Sequence, residues 1–381
     1  MGTEPDGTRG TARVRPGTPL ADAHAAFCSH VSKGDSGRHR GEVERVVGDF
    51  VDRAADRGVE AVADLDVAAL EAYAAHLSWR AWAREESPDS GITGRTARQY
   101  YALVRSFCTY LLERDALETN PAKSAVATEA LPDPSVGVRG DEREQFWSAD
   151  TRERIVRWMD WRAEDALDRG WMDPERATRD RALVAVLAYS GARGAELFRD
   201  PQNDRRTGLR WRHVDLEEGT LRVYGKPQEW QRTPLLAPGV ERLRAHRRRQ
   251  DPPSEEWPVF PTSHLPSLYS VVREADGVDA EPTKGTVWDL LRDHDLVPPA
   301  LTTAGARRLL KEFSAESGIT EDGEPLLPHG ARRGLGDELY DTSAELAQEV
   351  LRHRSVETTH RSYRDEDLAR LRDAAEDAID G

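Results

Sequence analysis

The chain has 381 residues, 38% of them hydrophobic, and carries a formal net charge of −15. At roughly 150 residues per domain this length suggests two domains, and no apolar run reaches the roughly 18–20 residues of a membrane helix. Cys28 and Cys108 are the two cysteines, without CxxC spacing; they support neither a zinc site nor a disulfide framework and read as reduced core thiols.

Residues 1–18, rich in Gly, Thr, Pro and Arg, lack the apolar core of a signal peptide and read as a disordered leader on a cytoplasmic protein. Residues 19–125 read as a small bundle of about four helices. One lies near Ala21–Val31. A second carries Val43, Val46, Val47, Phe50, Val51 and Ala54 at helical spacing. A third carries Val67, Leu70, Ala74 and Leu77 behind Asp66 as N-cap, and a fourth carries Leu103, Phe107, Tyr110 and Leu111. Asn120-Pro121 is expected to stop the last helix, because a residue before proline avoids the helical region. Residues 126–142, with Pro132, Pro134 and Gly137 and no aromatics, read as a linker.

A larger domain is expected from 143 to 381. Helices around Thr151–Arg169 and Thr178–Glu196 precede a change of period. Leu209–Leu236, with Trp211, Val214, Leu216, Leu221 and Val223 between glycine turns, reads as an antiparallel sheet of about three short strands. The chain then returns to helix, broken repeatedly by proline, and 262–325 is only partly patterned. The fold class is therefore mainly α (α+β).

Charge is uneven along the chain. Five of its 54 basic residues are lysine, a composition that fits a salt-adapted acidic surface, and Arg205–Arg249 holds twelve basic against five acidic residues. A net charge of −15 argues against nucleic acid at face value, whereas a basic patch on an acidic body is compatible with it. Arg247, Arg248 and Arg249 are the candidate phosphate contacts; a solvated charged face is the competing reading.

Four scattered segments carry the candidate chemistry. Tyr189-Ser190-Gly191-Ala192-Arg193-Gly194-Ala195-Glu196 follows an apolar helix. Gly225-Lys226-Pro227 falls at a strand turn. Pro328-His329-Gly330-Ala331-Arg332 puts His329 and Arg332 three apart, on one helix face. Leu351-Arg352-His353 is followed ten residues later by Tyr363. Singly, each has a plain structural reading: an Arg193–Glu196 pair, a surface lysine, a capping histidine, a buried tyrosine.

Jointly, and in this order, they resemble the tyrosine recombinase, or phage integrase, family, whose members show Thr/Ser-Gly-x-Arg-x-x-Glu, a hairpin lysine, His-x-x-Arg, Leu-Gly-His and a tyrosine nine or ten residues on. The resemblance covers roughly residues 19–370, and the helical bundle ending in Asn120-Pro121-Ala122 looks like the family's SAM-like core-binding domain. It implies Tyr363 as nucleophile, Arg193 and Arg332 as the phosphate clamp, Lys226 as general acid, His329 and His353 as assistants, and Glu196 in support. It further implies double-stranded DNA with inverted half-sites as partner, a homotetramer on DNA from a free monomer or dimer, and neither cofactor nor metal. Three departures stand out. Arg352 replaces the glycine that most easily closes a helix in the left-handed region, Ala331 replaces a leucine, and the stretch before His329 is longer.

The residue types suit the reaction. The transition state at phosphorus spreads negative charge, which two guanidiniums can clamp bidentately, and such preorganised charge is usually the largest catalytic term. A phenol of unperturbed pKa near ~10 needs help to attack, and the departing 5′-oxygen needs a proton. The resulting 3′-phosphotyrosine conserves the bond energy for rejoining. A type IB topoisomerase shares this chemistry, and a DNA-binding regulator could retain the fold without it. A metal-dependent nuclease would need a carboxylate cluster that the sequence does not display. After Tyr363, the acidic Asp365–Asp367 and the stripe Leu368, Leu371, Ala375 and Ile379 read as a terminal helix. The stripe by itself reads as packing on its own domain, whereas the resemblance implies that this helix docks on a neighbouring protomer.

Overall fold

The structure, a computed structural model, describes residues 14–31, 37–87, 90–137, 145–225 and 227–352. The chain divides into two compact units, Met1–Arg143 and Glu144–Gly381.

Unit 1 is helical: α1 (Leu20–Val31), α2 (Gly37–Ala55), α3 (Val67–Glu86), α4 (Gly94–Leu112) and the short α5 (Ala125–Glu129). The expected stripes make its core. Val43, Val46, Val47, Phe50, Val51 and Ala54 of α2 pack with Leu70, Ala74 and Leu77 of α3 and with Phe107, Tyr110 and Leu111 of α4. Asp66 caps α3 by accepting from the Ala69 amide. Val67 differs from the expectation: it is 37% exposed, because the first helical residue points away before the stripe closes over the core. Cys28 and Cys108 are free and buried, and burial pushes the Cys108 thiol up to about 12.

Helix α4 ends well before Asn120-Pro121. Asp115 turns left-handed, with φ 56, and the Ala116 amide returns to the Leu111 carbonyl. Asn120 instead holds the following turn, accepting from the Ala122 amide and donating to the Arg105 carbonyl and the Thr109 hydroxyl. Two segments read as irregular are packed. Val14 is buried, and the Ala63 amide bonds the Pro16 carbonyl. Ala127 of α5 is buried, while Arg98 holds the Pro132 carbonyl and the Gly94 amide holds that of Val136.

Unit 2 is built around α7 (Pro174–Tyr189), which packs on α6 (Ala149–Arg169) and α9 (Ala237–Gln250). From Ala182 to Ala188 every residue of α7 is at most 1% exposed, as expected of a helix that is apolar all round. Asp173 caps it and Pro174 opens it, a position where the missing N–H costs nothing. The helix ends at Tyr189, so Arg193 lies beyond it, before the single turn α8 (Gly194–Leu197).

Three antiparallel strands follow, in the order β1 (Val214–Asp215), β2 (Thr220–Tyr224), β3 (Trp230–Pro234). The partly patterned stretch contains α10 (Leu265–Arg273), α11 (Val287–Asp293) and α12 (Thr303–Ser317). Leu268, Val272, Val287, Leu291, Leu310 and Phe313 from these helices join the same core as α7. The described chain ends with α13 (Pro328–Thr342) and α14 (Ala344–Leu351). Among the described residues, no helix is long and apolar enough to cross a membrane.

Candidate active site

The chain break after α7 is what delivers the first arginine. Ser190 caps the break by donating to the Val186 carbonyl, and the Leu236 amide after β3 bonds the Tyr189 carbonyl. Gly191 then runs against the end of α14: a Cβ there would lie 2.3 Å from the Val350 oxygen. Gly194 meets Pro328 at the start of α13, with a hypothetical Cβ 3.1 Å from the proline side chain. Two glycines thus allow α7–α8, α13 and α14 to converge.

Glu196 reaches back to accept from the Arg193 amide at 2.8 Å and from the Arg193 guanidinium at 3.0 Å. Its side chain is fully buried, while that of Arg193 keeps 28% of its surface. Burial alone would raise the Glu196 pKa, but the guanidinium of Arg352 and the bonds from Arg193 outweigh it and hold the carboxyl below its usual range. Arg193 is thereby oriented with an open edge.

Arg332 is 3% exposed. Its guanidinium donates to the carbonyls of Gly191 and Leu351, stitching the first segment to the last. His329, one turn earlier on α13, is exposed, so the two share a helix end but not a depth. Desolvation by the surrounding protein, reinforced by Arg333, Arg332, Arg193 and Arg307, pushes the His329 imidazole down to about 4. It is therefore neutral at pH 7, able to donate one hydrogen bond and accept another.

Arg352 is the participant that the sequence reading did not foresee. It closes α14 in the left-handed region, φ 56 and ψ 45, at a cost on the order of 1–2 kcal/mol for a residue with a Cβ. Its side chain is 9% exposed and pairs with Glu196 at 2.6 Å. The signal lay in the sequence, since an arginine stands at a helix end that favours glycine, but its pairing partner is 156 residues away. Two further supports had no signal. Trp147, fully buried, donates its amide to the Gly330 carbonyl, and its backbone lies against Gly334. Gln145 accepts from the Leu327 amide and donates to the Pro325 carbonyl. Both fix the first turns of α13.

The structure brings Arg193, Glu196, His329 and Arg332 together and adds Arg352. Lys226, His353, Tyr363 and the expected terminal helix lie outside the described residues. The β2–β3 turn on either side of Lys226 is closed by the Gly225 amide bonding the Glu229 carbonyl. Arg247, Arg248 and Arg249 are not part of the cluster. They occupy the last turn of α9, roughly 13 Å along the helix from Gly239, where that helix touches Tyr189. Arg247 pairs with Glu255 and lies 5.3 Å over the Trp211 ring; Arg248 and Arg249 are exposed.

Unit 2 thus gathers two arginines and a histidine from distant segments beside a hairpin, a set of groups able to bind an anionic phosphate. No protein-family model matches the chain. It is 24% identical over 294 residues to tyrosine recombinase XerC of Xanthomonas axonopodis pv. citri (strain 306), covering 75% of this chain and 73% of that protein. It is also 24% identical over 331 residues to XerC of Xanthomonas campestris pv. campestris (strain B100), covering 84% and 77%. The fold is similar to that of the Tn1549 transposon integrase in complex with transposon right end DNA, with TM-score 0.55, 12% identity and coverage of 94% of this chain and 100% of that one. Over three quarters or more of its length the chain is therefore similar to tyrosine recombinases, and it shares the fold of the Tn1549 integrase.

Proposed function

We propose that the reaction is cleavage and rejoining of DNA strands through a 3′-phosphotyrosine on Tyr363. The observation that carries this reading is the convergence of Arg193, Glu196, His329 and Arg332 on the segment where the described chain ends at Leu351 and Arg352. His353 and Tyr363 follow in sequence from that point.

In this scheme Arg193 and Arg332 bind the non-bridging oxygens of the scissile phosphate. His329, neutral at pH 7, hydrogen-bonds to it, and His353 joins it in hydrogen bonding and proton transfer. The Tyr363 oxygen attacks phosphorus while Lys226, on the hairpin, protonates the departing 5′-oxygen. Attack of a 5′-hydroxyl from the partner strand reverses the step and frees the tyrosine. The bond is exchanged rather than hydrolysed, so the scheme calls for no external energy source.

DNA is the proposed partner, as it is in the Tn1549 integrase complex. Unit 1 is the core-binding domain and contacts DNA, and Arg247–Arg249 add non-specific phosphate contacts. Assembly on inverted half-sites as a tetramer, docking of the terminal helix in trans, and a cytoplasmic location complete the proposal. Strand relaxation of the topoisomerase kind has no observation in its favour.

The test is covalent trapping on a nicked suicide duplex. Wild-type protein is expected to remain on the 3′ end of the cut strand in the presence of EDTA. Tyr363→Phe is expected to form no adduct while shifting the same DNA at unchanged concentration. An adduct with the Phe variant would move the nucleophile elsewhere, to Ser362 or Tyr340.

A further inference from the structure

We propose that Arg352 is a positioning residue of the strand-transfer reaction: its guanidinium clamps Glu196 from the end of α14, so that Arg193 and the end of that helix are held in register. This rests on the reading of the site given above.

Three contacts define the clamp. Arg352 Nη2 pairs with Glu196 Oε2 at 2.6 Å and lies 3.5 Å from the Gly191 carbonyl, and Arg352 Nη1 donates to Gln231 Oε1 on β3 at 3.3 Å. One side chain therefore touches α8, the glycine turn before it, and one arm of the hairpin that carries Lys226. The alternative of simple helix closure does not explain these contacts. A left-handed helix end is taken at no steric cost by glycine, and a residue chosen for closure alone has no reason to bury a charged side chain to 9% exposure.

Charge gives the clamp its purpose. The fully buried Glu196 carboxylate faces two guanidiniums, Arg193 and Arg352. With glycine at 352 it would face Arg193 alone. With Arg352 present, the four groups carry one further positive charge toward a phosphodiester whose negative charge grows in the transition state.

The experiment compares wild type with R352G, R352K and R352Q in three measurements: half-site binding, thermal melting and single-turnover adduct formation on the nicked suicide duplex. Half-site binding is expected to stay within about twofold, since the clamp acts after binding. Adduct formation is expected to fall in the order wild type, R352K, R352G, with the glycine variant down on the order of 10²-fold, the loss typical of a misplaced catalytic group. R352Q, which keeps the reach but not the charge, is expected to be as slow as R352G. A residue that merely closes the helix would give the opposite order, with glycine equal to or better than arginine.

Wild-type cleavage by R352G overturns the proposal. Should R352G fail to melt cooperatively, wild-type cleavage by R352Q overturns it instead. Absence of any adduct with the wild-type chain would overturn the functional reading on which it rests, a result distinct from either.

Discussion

Arg193 and Arg332 are equivalent in the proposed chemistry and unequal in the structure. Arg193 keeps an open edge and is held through Glu196, so Arg193→Ala removes charge from the site and little else. Arg332 is buried and donates to the carbonyls of Gly191 and Leu351, so Arg332→Ala also takes this donor from Leu351 and leaves Gly191 with only the longer contact from Arg352, at about 1–3 kcal/mol for an acceptor left unmet. Both variants are expected to lose on the order of 10²–10³ in adduct formation. Arg332→Ala alone is expected to melt several degrees lower. Equal melting temperatures for the two variants would refute the stitching role. The sequence motifs identified both arginines because residue type and order along the chain are local facts. They did not reveal the difference in burial, which depends on where Gly191 and Leu351 arrive in space. Arg352 shows the same limit, since the missing glycine was legible and the partner at Glu196 was not.

At the scale of elements, α13 matters most, since it carries His329 and Arg332. Its first two turns lie on Trp147, and a Cβ at Gly334 would stand 1.9 Å from the Trp147 oxygen. That contact is with backbone and cannot yield by a rotamer change. Gly334→Ala is therefore expected to destabilise the protein by about 1–3 kcal/mol, the usual cost of overpacking, and to slow adduct formation by moving the helix. A chemical denaturation series with matched cleavage rates checks this, and an alanine variant as stable as wild type would show that the seam is loose. The element pattern was largely readable. Stripes such as Val43 to Ala54 and the alternation in β2 are signatures of a buried face. Helix ends were less so: α4 stops at a left-handed Asp115, and no composition rule singles out that aspartate over the Asn-Pro pair that follows.

At the scale of the whole molecule, two units each possess a core of large apolar side chains, one around Phe50, Leu70 and Phe107 and the other around Trp147, Phe198, Trp211 and Phe313. A unit with its own core meets the condition for folding alone. Residues 144–381, expressed separately, are expected to unfold cooperatively in calorimetry, within a few degrees of a transition of the full chain. A broad, non-cooperative melt of that fragment would mean that the catalytic unit depends on unit 1. The total charge of −15 misdirects at this scale. What decides contact with a polyanion is the local clustering of guanidiniums, and a sum over the chain erases it.

The two bonds from Arg332 to Gly191 and Leu351 have an evolutionary consequence. Under the proposed scheme, a descendant that no longer cut DNA would be free to change Tyr363 at once, yet it could not change Arg332 without opening the seam between three segments. Retired copies of such an enzyme are therefore expected to keep Arg332 long after activity has gone. In that scheme the presence of Arg332 marks the architecture, and Tyr363 marks whether the chain still works.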